Sequence, residues 1–537
     1  MATAGPRASS QPPTSSRNLF VRNATGLVRE LSPFDAFNLV FSAVLIPVGI
    51  TEVMAFTPTF WPHANMLVSF LLATPLVATC GLVYLYFTVI MPRSGGDYVW
   101  VSRTLNPFLG FFTNFSLTFV FLTWIAFNFT YMLSVMGPAV AYVAGWNSAA
   151  LTSPDHTELM VIATVLTAAF TGVMILGVRV VAKYMMVTFA IVWVGMLAWL
   201  IDMLVGSRGH FTSSFNAHSG TTVSGVLAAA SHGGFSAAGG IGWGATVFGM
   251  IYCFQVYTGF QWTGYFAGEI RNVRKTATTS ILGALLISAI GYVVASALIY
   301  KYYGFSFFGS VVYDGLGGGS ASWKAPFLPY LPALVNFLPG PKWMLAFIAI
   351  CFLLAILWWT PTGFMMGTRN MFAWSFDRLA PEKLTTVSDR FHTPVIATIT
   401  VGCIVELLNY LNIYQGLGSY LLNIIAVMGV AFIVSSIAAA VTPWRRPQLH
   451  AQAPGWARAS LAGVPVITIV AAISAISWGF VIYVAFHTGF GGTFGFKPML
   501  EAFTAPLIGI VYYIAVRLIR RAQGMQLGQA FTEIPPE

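Results

Sequence analysis

Five residues in one short stretch carry the first chemical signal in this chain: Gln255, Tyr257, Thr258, Gly259 and Gln261, set within IYCFQVYTGFQWTGYFAGEIRNVRK at 251–275. The stretch is apolar and uncharged until Glu269, Arg271, Arg274 and Lys275 end it. Polar side chains in such a run cost free energy against hydrocarbon, so they are expected to face a cavity or other protein. Glycine lowers the steric cost of leaving helical dihedrals, and an unwound turn frees amides and carbonyls that can hold a solute. The competing reading is close helix packing at Gly259, with the two glutamines bonding across a bundle.

A second stretch, FDAFNLVFSAVLIPVGITEVMAFT at 34–57, repeats the device with Pro47, Val48, Gly49 and Ile50 near its middle. Free amides at such a break, at the N-terminus of a half-helix, suit an anionic group. Glu52 follows within one helical turn and is the only charged residue between Ala36 and Phe60. A carboxylate is costly in hydrocarbon, so it is expected to face the cavity, contacting an amine or holding a proton. The alternative is that the segment slides and Glu52 snorkels to a surface.

The elements that must position these residues are long apolar runs. The chain has 537 residues, of which 57% are hydrophobic and 8% charged. Its runs far exceed the roughly 20 apolar residues that cross a bilayer, so the class is an all-α polytopic membrane protein. Twelve spans are expected, at 34–57, 65–91, 107–137, 159–177, 184–204, 243–267, 277–300, 343–367, 395–412, 417–442, 464–487 and 501–517. The first is too long for a cleavable signal peptide. Residues 1–30, rich in Ser, Pro and Arg, are expected to be a disordered cytoplasmic tail, 31–518 the membrane domain, and 519–537 a cytoplasmic C-tail.

The net charge of +10 invites an anionic partner such as nucleic acid, but its placement has a simpler cause. On this threading only Arg208, Lys301, Lys324, Lys342 and Lys497 of the 26 lysines and arginines fall outside. That asymmetry follows the positive-inside rule, with both termini cytoplasmic and no nucleic-acid partner. The outer loops at 206–242 and 302–342 are long and Gly/Ser rich, the second holding PFLPYLPALVNFLPGP, a candidate short surface or re-entrant helix. Cys80, Cys253, Cys351 and Cys403 sit in apolar runs without ligand spacing and read as core, so no metal site is expected.

Weaker candidates complete the set. Trp124 and Asn128 are one turn apart and able to line a cavity, although packing is the readier reading for the tryptophan. Trp359, Thr360 and Thr362 flank Pro361 and could border a substrate or a sodium ion. Asp97, Arg103, Glu269 and Arg271 fall in inner loops, where a salt-bridged gate competes with an ordinary solvated surface. No catalytic residues are assigned: neither HExxH spacing nor a phosphate loop is present, and most of the eight histidines lie in loops or tails.

Two interrupted spans, the first and the sixth, at matching places in two five-helix halves point to a midplane site between inverted repeats. At this point a family resemblance joins the argument. MPRSGGDYVWVSRTLNPFLGF, after the second span, closely resembles the P-R-S-G-G-[DE]-Y signature of the amino acid/polyamine/organocation (APC) superfamily of permeases. GVRVVAK at 177–183 is similar to that family's G-V-K element, GFQWTGYFAGEIRNVRK to its helix-six exit, and Thr368–Val395 to its segment after helix eight.

The resemblance implies a LeuT-like 5+5 inverted repeat, 34–205 and 243–442, with two additional C-terminal helices at 464–517. It implies secondary transport of amino acids or related amines across the cell membrane by alternating access, with no cofactor beyond a coupling ion, H+ or Na+. A polyamine or organic-cation transporter is the alternative, ahead of a channel or a transporter-like nutrient sensor. Substrate-binding residues carried over are Pro47, Val48, Gly49 and Ile50, and Gln255, Tyr257, Thr258, Gly259 and Gln261. Two departures stand out. Pro47 replaces a family glycine and has no N–H to offer. The lysine that some proton-coupled relatives carry in helix five is lacking, its place falling near Val192.

Overall fold

In hydrocarbon only intrahelical bonding or a closed barrel satisfies the backbone, and the long apolar runs of this chain take the first solution. The computed structural model describes residues 31–44, 46–146, 153–235, 241–317, 323, 325–417, 424–487, 496–525, 528 and 531. The expected N-tail at 1–30 and most of 526–537 lie outside the described residues. Among those described, 11 helical segments are long and apolar enough to cross a membrane. They are Pro33–Phe60, Met66–Ile90, Pro107–Ala144, His156–Ile175, Val178–Val205, Val273–Tyr302, Lys342–Phe376, Val395–Gln415, Ile424–Arg445, Val466–His487 and Ala502–Ala522.

The expected sixth span is not among these, for a physical reason. Its helix, Trp243–Tyr257, stops after 15 residues, and the chain resumes as a short turn at Trp262–Tyr265 and a 3-10 turn at Ala267–Glu269. The first span is helical over Pro33–Val44 and Ile46–Phe60, with residue 45 outside the described residues. Pro33–Val44 packs on Val273–Tyr302, and Trp243–Tyr257 packs on Met66–Ile90. Val178–Val205 lies along Lys342–Phe376, and Ile424–Arg445 along Pro107–Tyr131 and Val466–His487. The outward face of Val178–Val205 exposes Val187, Ile191, Val194, Ile201 and Leu204, a helical repeat suited to lipid.

Several boundaries correct the sequence reading. Lys342–Phe376 runs 35 residues, so Arg369, expected beyond a span ending at 367, sits inside a helix. The helix expected from 184 begins at Val178, and the last one continues to Ala522, into the segment expected as C-tail. Pro107–Ala144 outlasts its expected end at 137 because a π turn at Met132–Met136 absorbs the hydrogen bond that Pro138 cannot donate. The outer connections are built rather than loose, with helices Arg208–His218, Val223–His232, Phe305–Leu316 and Leu331–Leu334. The last falls within the proline-rich candidate. Cys403 is exposed on the Val395–Gln415 helix, not core, whereas Cys80, Cys253 and Cys351 are buried.

Candidate functional site

The break in the sixth segment is made by local chemistry. Thr258 leaves the helix in an extended conformation, φ −65° and ψ 131°, and its N–H and hydroxyl both donate to the Gln255 carbonyl, at 3.0 and 2.5 Å. Gly259 follows at φ 150°, a region open to glycine and strained for other residues. Its N–H donates to Oε1 of Gln261 at 2.8 Å, so the glutamine side chain replaces a lost helical acceptor. A Cβ at Gly259 would lie 2.9 Å from the Ala43 carbonyl carbon and Cβ and from the Val44 nitrogen. The glycine is where the sixth segment touches the first.

The break expected at Pro47, Val48, Gly49 and Ile50 is corrected: all four are helical, within Ile46–Phe60, where intrahelical bonding satisfies the backbone in an apolar run. The Pro47 carbonyl accepts from the Thr51 hydroxyl at 2.8 Å. The Tyr292 hydroxyl, from Val273–Tyr302, links the first and sixth segments: it lies 2.7 Å from the Val44 carbonyl oxygen and 3.4 Å from that of Val256. A Cβ on Gly49 would overlap that hydroxyl. A mid-helix tyrosine in an apolar run was the signal available for Tyr292, and the sequence reading missed it.

Between the first segment and the break of the sixth lies a cavity of about 60 Å³, room for several water molecules at roughly 10–15 Å³ each. Its walls are Ala43, Val44, Val48, Gly49 and Glu52 from the first segment, Gln255, Val256 and Thr258 from the sixth, Phe121, Trp124 and Asn128 from Pro107–Tyr131, and Trp359 from Lys342–Phe376. Glu52 is buried at 5% exposure, so it faces this cavity and not an outer surface. Among the described residues no donor or cation pairs with its carboxylate. Asn128 Oδ1 and Gln255 Oε1 are likewise buried without a hydrogen-bond partner.

The structure thus brings together Val48, Gly49, Glu52, Gln255, Thr258, Trp124, Asn128 and Trp359. Pro47, Ile50, Tyr257, Gly259, Gln261 and Thr360 do not line the cavity. Tyr257 points to Met66–Ile90, where its hydroxyl pairs with Thr74 at 2.8 Å, and Thr360 donates to the Ile356 carbonyl at 2.8 Å. Thr362 also turns away, 3.0 Å from the Ser42 hydroxyl. Phe121 was legible after the fact, lying on one helical stripe with Trp124 and Asn128. Ala43, Val44 and Val256 gave no signal, since small apolar residues beside a cavity act through their backbone. Tyr292→Phe removes the hydroxyl shared by the first and sixth segments, and uptake into vesicles is expected to fall severalfold at unchanged protein level. Unaltered uptake would show that the shared hydroxyl is dispensable.

The far end is closed by buried ion pairs. Arg369 Nε and Nη2 meet Glu269 Oε1 and Oε2 at 2.6 and 2.8 Å, both side chains being at most 2% exposed. Arg103 Nη2 lies 2.8 and 2.7 Å from Asp377 Oδ1 and Oδ2, and Tyr98 donates to the same carboxylate at 2.7 Å. Asp97 Oδ1 accepts from Asn114 Nδ2 at 2.9 Å, and burial pushes the Asp97 carboxyl up to about 6. The solvated surface expected for Asp97, Arg103 and Glu269 is therefore corrected to a buried network, because neighbouring helices supply Asp377, Arg369 and Asn114. Two further residues, Leu31 and Phe531, close on this network. Leu31 forms a parallel bridge with Ile270, its N–H donating to Glu269 O at 3.1 Å, and the buried Phe531 ring lies 4.9 Å from the Arg103 guanidinium carbon.

Many long apolar helices around a small polar cavity, beside one helix interruption, mark a multi-pass membrane protein; among the described residues no group of His, Cys, Asp and Glu is gathered for a metal. The amino acid permease family profile matches residues 31–511, and the chain belongs to that family, within the APC superfamily. It is a transporter rather than an enzyme. The chain is similar to the branched-chain amino acid permease BcaP of Bacillus subtilis (strain 168), with 25% identity over 442 residues, covering 79% of this chain and 83% of that protein.

Proposed function

We propose that the protein is a secondary active transporter that carries amino acids across the cell membrane by alternating access, using the cavity between the first segment and the break of the sixth as its binding site. The observation that carries this reading is the convergence there of Glu52, Gln255 and Asn128 with the unwound turn at Thr258. Unwound backbone at mid-bundle is tolerated where it lines a cavity, and it supplies carbonyls and amides suited to ammonium and carboxylate groups.

The packing pattern supports a 5+5 inverted repeat, 34–205 and 243–442, with helices from 464 to 517 added and twelve crossings in all once the broken sixth segment is included. An exchange of the two halves should map each helix pair onto another. Pro33–Val44 with Val273–Tyr302 maps onto Trp243–Tyr257 with Met66–Ile90, and Val178–Val205 with Lys342–Phe376 onto Ile424–Arg445 with Pro107–Tyr131. The skewed lysine and arginine distribution supports cytoplasmic termini and an inward-facing ion-paired end.

The relative's name puts leucine, isoleucine and valine first among substrates to try. Glu52 favours a second reading, an organic amine, because an unpaired carboxylate suits a cation. The test is flux in proteoliposomes with proton, sodium or counter-substrate gradients imposed in turn. Uphill accumulation of an amino acid supports the proposal. Flux that only runs downhill through all three gradients fits a channel, and no flux sinks the transporter reading.

A further inference from the structure

We infer that the cavity takes up one positive charge per cycle: a zwitterionic amino acid enters together with a proton on Glu52, and a cationic amino acid enters alone against the ionised Glu52. This rests on the amino acid transporter reading above and adds the charge rule of its site. The argument is electrostatic bookkeeping in a medium that penalises net charge. The cavity wall holds one carboxylate, and no lysine, arginine or histidine lines it. Among the described residues the Glu52 carboxylate has no partner, so the empty site has no internal counter-charge. The remaining unmatched groups, Asn128 Oδ1 and Gln255 Oε1, are acceptors too. They can accept from an ammonium group, and neither amide carries a charge that offsets ionised Glu52.

A zwitterion carries no net charge, so its complex with ionised Glu52 would leave one negative charge enclosed among Phe121, Trp124 and Trp359. An uncompensated buried charge costs several kcal/mol, enough to exclude that complex from the cycle. A proton on Glu52 removes the charge. So does a substrate whose side chain bears a second ammonium group, and the two are then interchangeable. The surrounding titratable groups do not supply the missing cation. Those within electrostatic reach are the phenols Tyr131, Tyr252, Tyr292 and Tyr330, from four neighbouring segments. Asp314, on the Phe305–Leu316 helix that packs against Ile46–Phe60, responds to burial alone. Arg369 lies about three turns beyond Trp359 and is committed to Glu269.

The test is stoichiometry in proteoliposomes holding the full chain, with free leucine and free lysine as the two probes. Protons and charge are counted per molecule from a pH dye and the reversal potential. The expected result is one proton and one charge per leucine, and no proton and one charge per lysine. Glu52→Gln should still pass leucine downhill without protons, while lysine uptake falls at least tenfold; Glu52→Asp, which keeps the charge, should keep both behaviours. Leucine moving without a proton in the unaltered protein overturns the inference while leaving the transporter reading intact, and needs no variant to fold. Glu52→Gln that still couples leucine to protons, or takes lysine as before, overturns it as well. No flux of leucine, lysine or any other amino acid would overturn the transporter reading and this inference with it.

Discussion

Replacing Gly259 by valine is expected to abolish uptake while leaving the protein expressed and inserted. Two independent effects act at this position. At φ 150° any side chain strains the backbone, a cost of roughly 1–3 kcal/mol that a β-branched residue meets at its upper end. Beyond that, the first added carbon already lies 2.9 Å from the Ala43 and Val44 backbone, so the sixth segment would have to move away from the first. Packing backbone against backbone leaves no flexible side chain to yield. Displacing that contact opens the wall of the cavity at Ala43 and Val44 without touching the long helices that hold the bundle together. Gly259→Ala adds the carbon without the branch and should retain a fraction of the activity. The measurement is vesicle uptake normalised to folded protein by size-exclusion profile, and normal uptake by the valine variant would place the essential turn elsewhere.

A second large effect is expected at the closed end. Arg369→Met removes one partner of a pair that is at most 2% exposed, leaving the Glu269 carboxylate buried without its cation. Breaking such a pair costs on the order of 3–5 kcal/mol, whereas replacing both partners by neutral groups is often close to neutral. The single variant should therefore lower the thermal midpoint of detergent-solubilised protein by several degrees, and Arg369→Met with Glu269→Gln should recover most of the loss. A single variant as stable as the parent would mean that Glu269 reaches water or another donor once Arg369 is gone. The double variant also asks a functional question. If the pair holds this end shut, solvent access from that side rises even though stability returns.

What the sequence revealed and what it hid divide along physical lines. The helical bundle was legible because hydrocarbon forces apolar runs into helices, and the break at Gly259 was legible because polar residues surround a glycine in an uncharged run. Glu52 was legible for a similar reason, a lone charge where charge is costly. The break expected at Pro47 to Ile50 was overturned because Pro47 reads as a breaker in sequence yet sits in helical backbone, its carbonyl accepting from the Thr51 hydroxyl. Arg369 was assigned to a loop since its charge argues against a span, and only its distant partner Glu269, 100 positions away, makes a buried arginine tolerable. Tyr292 and the backbone of Ala43, Val44 and Val256 were invisible for a different reason. Their part depends on which helices meet, and that is a property of the assembled bundle.

The Phe531 ring against Arg103 has a mechanical consequence. Arg103 is also tied to Asp377, and the adjoining Arg378 carbonyl accepts from Arg520 of the last helix at 3.1 Å. Phe531 is therefore an anchor point set inside the charged closure. A load applied at Phe531 is carried through an aromatic ring to a buried ion pair.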